Sequence, residues 1–174
     1  IERAAFETWI AEDLQKIENA VDEALTTAKL DASAIDRVFL TGGSSLIPAI
    51  RALIAQGISI NVTLLFSQKM YAEVLEAYIA GLEDFIAKGG DPKRIASVAS
   101  FFVSRIDTAV DTQLDGKIAA ANGDDKAHLE SLKGKIAIAN AKLAYQHYLK
   151  VIGGERWKKL AAKGAQVQRL LWAS

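Results

Sequence analysis

Apolar residues recur every three or four positions at the start of the chain: Phe6, Ile10, Leu14, Ile17, Val21, Leu25 and Ala28. That spacing predicts an amphipathic helix over residues 2–29. The period then changes. A short apolar run at Arg37–Leu40 reads as a strand and ends in the turn Thr41-Gly42-Gly43-Ser44-Ser45. A second helix follows, with Pro48 in its first turn, where the missing N–H costs least, and Gly57 at its end. Strands are predicted at Ile58–Phe66, Ala96–Ile106 and Val167–Ala173. Helices are predicted at 68–87, across a long region broken near Asn122-Gly123-Asp124-Asp125, at 136–152 and at 155–163.

This order is a helix followed by βαβαβαβ. Strands separated by helices of this length run parallel, through right-handed crossovers. The fold class is therefore α/β, with a four-stranded parallel sheet in one domain, residues 1–174. The strands do not read as continuously apolar. Ile60, Val62, Leu64 and Phe66 share one face of the second strand, and Asn61, Thr63 and Leu65 the other. In the third strand Ala99, Phe101 and Val103 oppose Ser100, Phe102 and Ser104. One apolar face and one mixed face suit the wall of a half β/α barrel, with helices outside. An open flavodoxin-like sandwich is the alternative, with the first helix on the second face. Half a barrel leaves edges and an inner face uncovered. A homodimer that completes an eight-stranded barrel answers that problem.

Composition narrows the function classes. Of 174 residues, 21 are basic and 21 acidic, so the net charge is zero, and neither a nucleic-acid partner nor a membrane partner is expected. The chain has no Cys, which excludes disulfides and thiolate metal sites and fits a cytoplasmic location. His128 and His147 lack spaced partners, so no metal site and no cofactor are expected. Trp9, Trp157 and Trp172 read as packing residues. Ser44 and Ser45 have no general base nearby in the sequence.

Two resemblances meet in one helix. Residues 36–48, DRVFLTGGSSLIP, within a region reaching to about residue 55, resemble the nucleotide-binding turn of the ATPase domain of DnaK-like heat-shock chaperones. That resemblance implies nucleotide contacts for Gly42, Gly43 and Ser44, because a glycine turn before a helix offers free N–H groups to anions. Residues 48–174 resemble the C-terminal half of transaldolase, through GISINVTLLFS, SVASFFVSRID and QRLLWAS. This second resemblance implies a β/α barrel that cleaves keto sugar phosphates through a lysine Schiff base. It places Asn61 and Thr63 beside the Schiff base, and Ser100 and Arg105 on the substrate phosphate.

The strand expected to carry that lysine lies just before PAIRALI, where this sequence reads RVFLTGG, without lysine. The second lobe of a chaperone ATPase is also missing. The expectation from sequence is therefore an engineered chimera, also suggested by the start at Ile1. It comprises a chaperone-like piece at 1–47, a shared helix at 48–57 and a transaldolase-like half barrel at 58–174. No catalytic residue is assigned, and the chain is expected to act as a scaffold. Residual binding of sugar phosphate, nucleotide, or adventitious phosphate or sulfate, and a crippled Schiff-base enzyme, are the alternatives.

Overall fold

The structure, a computed structural model, describes residues 11–31, 34–41 and 47–174. The chain forms two compact units, residues 1–36 and 37–174. In the first, α1 (Ala11–Ala28) is an amphipathic helix. It ends where Lys29 turns left-handed at φ 53°, with the Leu30 N–H donating to the Leu25 carbonyl at 3.0 Å. The part of the expected helix before Ala11 lies outside the described residues.

The second unit contains β1 (Arg37–Thr41), α2 (Ile47–Ile54), β2 (Ser59–Leu65) and α3 (Gln68–Ala87). After a short 3-10 turn come β3 (Ser97–Phe102), α4 (Ser104–Ala120), α5 (Gly123–Leu132), α6 (Ile136–Ile152), α7 (Glu155–Ala161) and β4 (Arg169–Ala173). The four strands are parallel and lie in the order β1-β2-β3-β4. That order decides between the two architectures. A flavodoxin-like sheet reverses its strand order at a switch point and takes helices on both faces. Here every crossover advances in the same direction, as in a segment of β/α barrel wall.

The core lies on one side of this sheet. Ile60, Val62, Leu65, Ala99 and Phe101 present one face to Ile50 and Ile54 of α2 and to a stripe on α3. In that stripe Tyr71, Leu75, Tyr78 and Leu82 follow the helical repeat and are 0–1% exposed. Trp157 and Leu160 of α7 and Ala144 of α6 complete the layer. Ser67 starts α3 as its N-cap, its hydroxyl accepting from the Met70 N–H at 3.1 Å. At Gly81 a Cβ would lie 2.7 Å from the Ile54 Cβ, so this glycine sets the close approach of α2 to α3.

Polar contacts tie the helices together at the surface. Arg51 of α2 forks onto Asp84 at 2.7 and 3.1 Å, and Arg156 of α7 binds both Glu76 and Glu83 of α3 at 2.7 Å. These guanidinium contacts hold the Glu83 and Asp84 carboxyls below their ordinary range. Inside, Tyr78 donates to the Gln166 carbonyl at 2.8 Å and Gln168 donates to Ser97 at 2.9 Å, which fixes the approach to β4.

Several boundaries differ from the sequence reading. The third strand stops at Phe102 rather than Ile106, and α4 begins at Ser104, so Arg105 stands in the first turn of a helix. Strand alternation also fails in β2. Leu64 adopts φ 62°, and Thr63 and Leu64 together oppose the single Ser100, because the pairing jumps from Val62↔Ala99 to Leu65↔Phe101. This bulge flips the face of the residues after it. Leu65, not Leu64, is therefore buried, at 0% exposed, and Phe66 is 38% exposed. We expect Leu65→Ala to lower the unfolding free energy by about 2–5 kcal/mol in urea titrations. Leu64→Ala, which leaves the core intact, should cost about 1 kcal/mol or less. Equal losses would mean that the bulge is absent.

Candidate functional site

Residues in register across a parallel sheet share a face. Phe39, Asn61, Val98 and Arg169 form one such row. It lies on the face opposite the core, and its side chains change in character from those of the core. Phe39 and Leu171 are 72% and 52% exposed, while Asn61, Thr63, Val98 and Phe102 are half-buried. In barrel architecture this is the inner face, and ligands bind at the C-terminal ends of its strands.

The four ligand-side residues named from sequence lie on β2 and β3 or just past β3, and two of them, Asn61 and Ser100, are in contact. Ser100 is buried, and its hydroxyl donates to Asn61 Oδ1 at 3.2 Å. This contact uses one carboxamide oxygen lone pair and leaves the Asn61 amide N–H groups for another acceptor. Thr63 lies two residues beyond Asn61, in register with Thr41 on β1 and next to the strained Leu64. Arg105 stands just past the end of β3, exposed, with its guanidinium carbon 5.1 Å from the centre of the Phe102 ring. That stacking holds the cation by its face and leaves its N–H edge available to an oxyanion. Gly42, Gly43 and Ser44 lie outside the described residues.

Several supporting residues are invisible to motif reasoning. Phe66 meets Phe102 at a centroid distance of 5.4 Å, so the ring beneath the Arg105 guanidinium is packed on a second aromatic ring. The Asn140 amide donates to the Phe66 carbonyl at 2.9 Å and its oxygen accepts from Gln68 at 3.1 Å, tying the β2–α3 turn to α6. Asp107, two residues after Arg105, accepts from the Ala137 N–H at 3.0 Å. It thereby binds the first turn of α4 to the N-terminus of α6, where a carboxylate also suits the helix dipole. Alternation marks Phe66 and Phe102 only as apolar. Their pairing depends on the bulge in β2. Among the described residues no cluster of His, Asp or Glu is arranged to hold a metal ion.

The family model described as Transaldolase/Fructose-6-phosphate aldolase matches residues 13–171. The chain belongs to that family. Transaldolase 2 of Nostoc sp. (strain PCC 7120) is 53% identical over 137 residues, which are 78% of this chain and 36% of that protein. Transaldolase of Trichodesmium erythraeum is 56% identical over 129 residues, 74% of this chain and 34% of its own length. Transaldolase 1 of Streptomyces avermitilis is 54% identical over 128 residues, covering 74% and 32%. The chain thus spans about a third of the length of the curated relatives it matches.

These matches correct the sequence reading in three respects. The family match runs unbroken through residues 48–57, where a join was expected, and covers α1 and β1 as well. No match supports a chaperone ATPase segment or an engineered chimera. The reading of the chain as a non-enzymatic scaffold falls with it, because relatives at 50–56% identity are named transaldolases. The glycine turn misled because strand–glycine–helix units serve unrelated α/β folds. Transaldolase-family membership also favours the barrel-wall reading of the sheet. Among the described residues no helix is long and apolar enough to cross a membrane.

The Asn61–Ser100 contact gives a direct check on this geometry. Ser100→Ala removes one neutral hydrogen bond and should lower the unfolding free energy by about 0.5–1.5 kcal/mol. Double-mutant analysis with Asn61→Ala should show non-additivity of at least about 0.5 kcal/mol. Strict additivity would place the two side chains apart.

Proposed function

We propose that this chain provides the sugar-phosphate-binding wall of a transaldolase-type site, acting in the transfer of a ketose fragment between sugar phosphates. The observation that carries this reading is the polar pair across β2 and β3, Asn61 bonded to Ser100, together with the Arg105 guanidinium stacked over Phe102 just past the end of β3. Arg105 takes the substrate phosphate, through charge-assisted hydrogen bonds from its free edge. The N-terminus of α4, a helix of 17 residues, adds favourable potential at the same point. Asn61 and Thr63 face the sugar, and Asn61 is held in orientation by Ser100.

The family resemblance adds a lysine that condenses with the keto carbon, losing water to form a Schiff base. None of the four strands contains lysine, so the amine in this reaction comes from outside β1–β4. Borohydride reduction in the presence of fructose 6-phosphate is expected to leave a covalent adduct, and peptide mapping then identifies the lysine. Arg105→Ala should weaken binding of fructose 6-phosphate about 10- to 100-fold, the range for one charge-assisted contact. Binding of unphosphorylated fructose should not change. Absence of any adduct, together with equal loss for both sugars, would overturn the proposal.

A further inference from the structure

The chain holds four asparagines, and three of them have their carboxamides engaged. Asn61 accepts from Ser100 at 3.2 Å, Asn140 donates to the Phe66 carbonyl at 2.9 Å, and Asn19 accepts from Gln15 at 3.1 Å. The residues that follow them, Val62, Ala141 and Ala20, carry a Cβ and sit within a strand or a helix. Asn122 differs in each respect. It is exposed in the connection between α4 and α5, makes no side-chain capping contact, and precedes Gly123. Gly123 begins α5 at φ 55°, in the left-handed region. As the first residue of its helix, it has no intrahelical acceptor for its N–H. The Asn122 carboxamide and the Gly123 amide nitrogen are thus both uncommitted, and no Cβ stands between them. Asn122 is extended, at φ −132° and ψ 160°, so ring closure between the two requires ψ to rotate. Such local opening costs little here, because α5 buries no side chain.

We propose that Asn122 is a site of spontaneous deamidation assisted by the Gly123 main chain. The Gly123 nitrogen attacks the Asn122 carboxamide carbon and loses its proton to water. The bond from that carbon to the side-chain nitrogen breaks, and the nitrogen leaves as ammonia after taking up a proton. The cyclic imide that remains takes up water at either carbonyl. One opening leaves aspartate at position 122. The other leaves isoaspartate, in which the main chain runs through the former side-chain carbon. Water is the one co-reactant. Either product adds a carboxylate to a chain whose 21 acidic and 21 basic side chains balance. The new charge lies beside Asp124 and Asp125 in the first turn of α5, where the helix dipole favours it. Asp115-Gly116, the other pair able to form such an imide, is closed to this chemistry. Asp115 is ion-paired with Lys133, and Gly116 lies inside α4, where its N–H belongs to the helical ladder.

Incubation of the full chain in neutral buffer, followed by isoelectric focusing and peptide mapping, tests the proposal. The expected result is a new acidic species carrying one more negative charge. Ammonia should be released in equal amount, and the mapped peptide should hold aspartate and isoaspartate at position 122. The acidic species should keep the far-UV circular dichroism and unfolding midpoint of the starting chain, since α5 contributes no side chain to the core. Asn122→Gln, an exposed substitution that disfavours ring closure, should abolish the acidic species. Gly123→Ala should slow its appearance, because the added Cβ obstructs the attack and disfavours the left-handed backbone. A chain that keeps its starting charge, a shift that persists in Asn122→Gln, or one that maps to Asn19, Asn61 or Asn140 would each overturn the proposal.

Discussion

The aliphatic and tyrosine stripe of α3 lies against the outer face of β2 and β3, and this one-sided burial governs the rest of the molecule. Tyr71, Val74, Leu75, Tyr78 and Leu82 are within 1% of complete burial, and the strand residues they meet, Val62, Leu65, Ala99 and Phe101, are equally enclosed. Burial of this kind contributes about 1.5–3 kcal/mol per large side chain relative to exposure. It commits one face of each strand to the core. The opposite face is then free to carry Asn61, Thr63 and Ser100, whose polar groups would be costly in that core.

The site follows from two local departures from regular strand geometry. At Leu64 the backbone enters the left-handed region, unusual for a branched, bulky residue, and one extra residue enters β2. The surrounding core sustains this strain, since Leu65 must turn inward to reach its pocket. The same bulge carries Phe66 toward Phe102, whose ring underlies the Arg105 guanidinium. At the end of β3 the Val103 N–H donates to the Ala173 carbonyl at 2.8 Å, the last ladder contact before α4 begins. Strand end, helix start and Arg105 therefore fall within four residues. Asp107 and Asn140 then fasten this corner to α6. The setting of Arg105 thus depends on helix packing beyond its own strand.

Much of this was legible along the chain. Helix periodicity gave α3 and α6 nearly to the residue, because their apolar stripes are long and their ends carry Ser67 and Gly153. The alternation Ala99–Ser100–Phe101–Phe102 correctly separated core from inner face in β3. The glycine turn after β1 was misread, since a short turn motif reports local backbone needs and little about ancestry. Only similarity along residues 13–171 corrected it.

The sequence alone determined the element order, the parallel pairing it requires, the polar character of one sheet face, and the residue types available for a phosphate. These are local or periodic properties, fixed by spacing and side-chain chemistry. Tertiary structure alone decided the strand order β1-β2-β3-β4, and with it a barrel wall rather than a two-faced sheet. It also decided the bulge at Leu64, the Asn61–Ser100 hydrogen bond and the stacking of Arg105 on Phe102. Each depends on which strand lies beside which, and in what register, and no single segment of the chain carries that information.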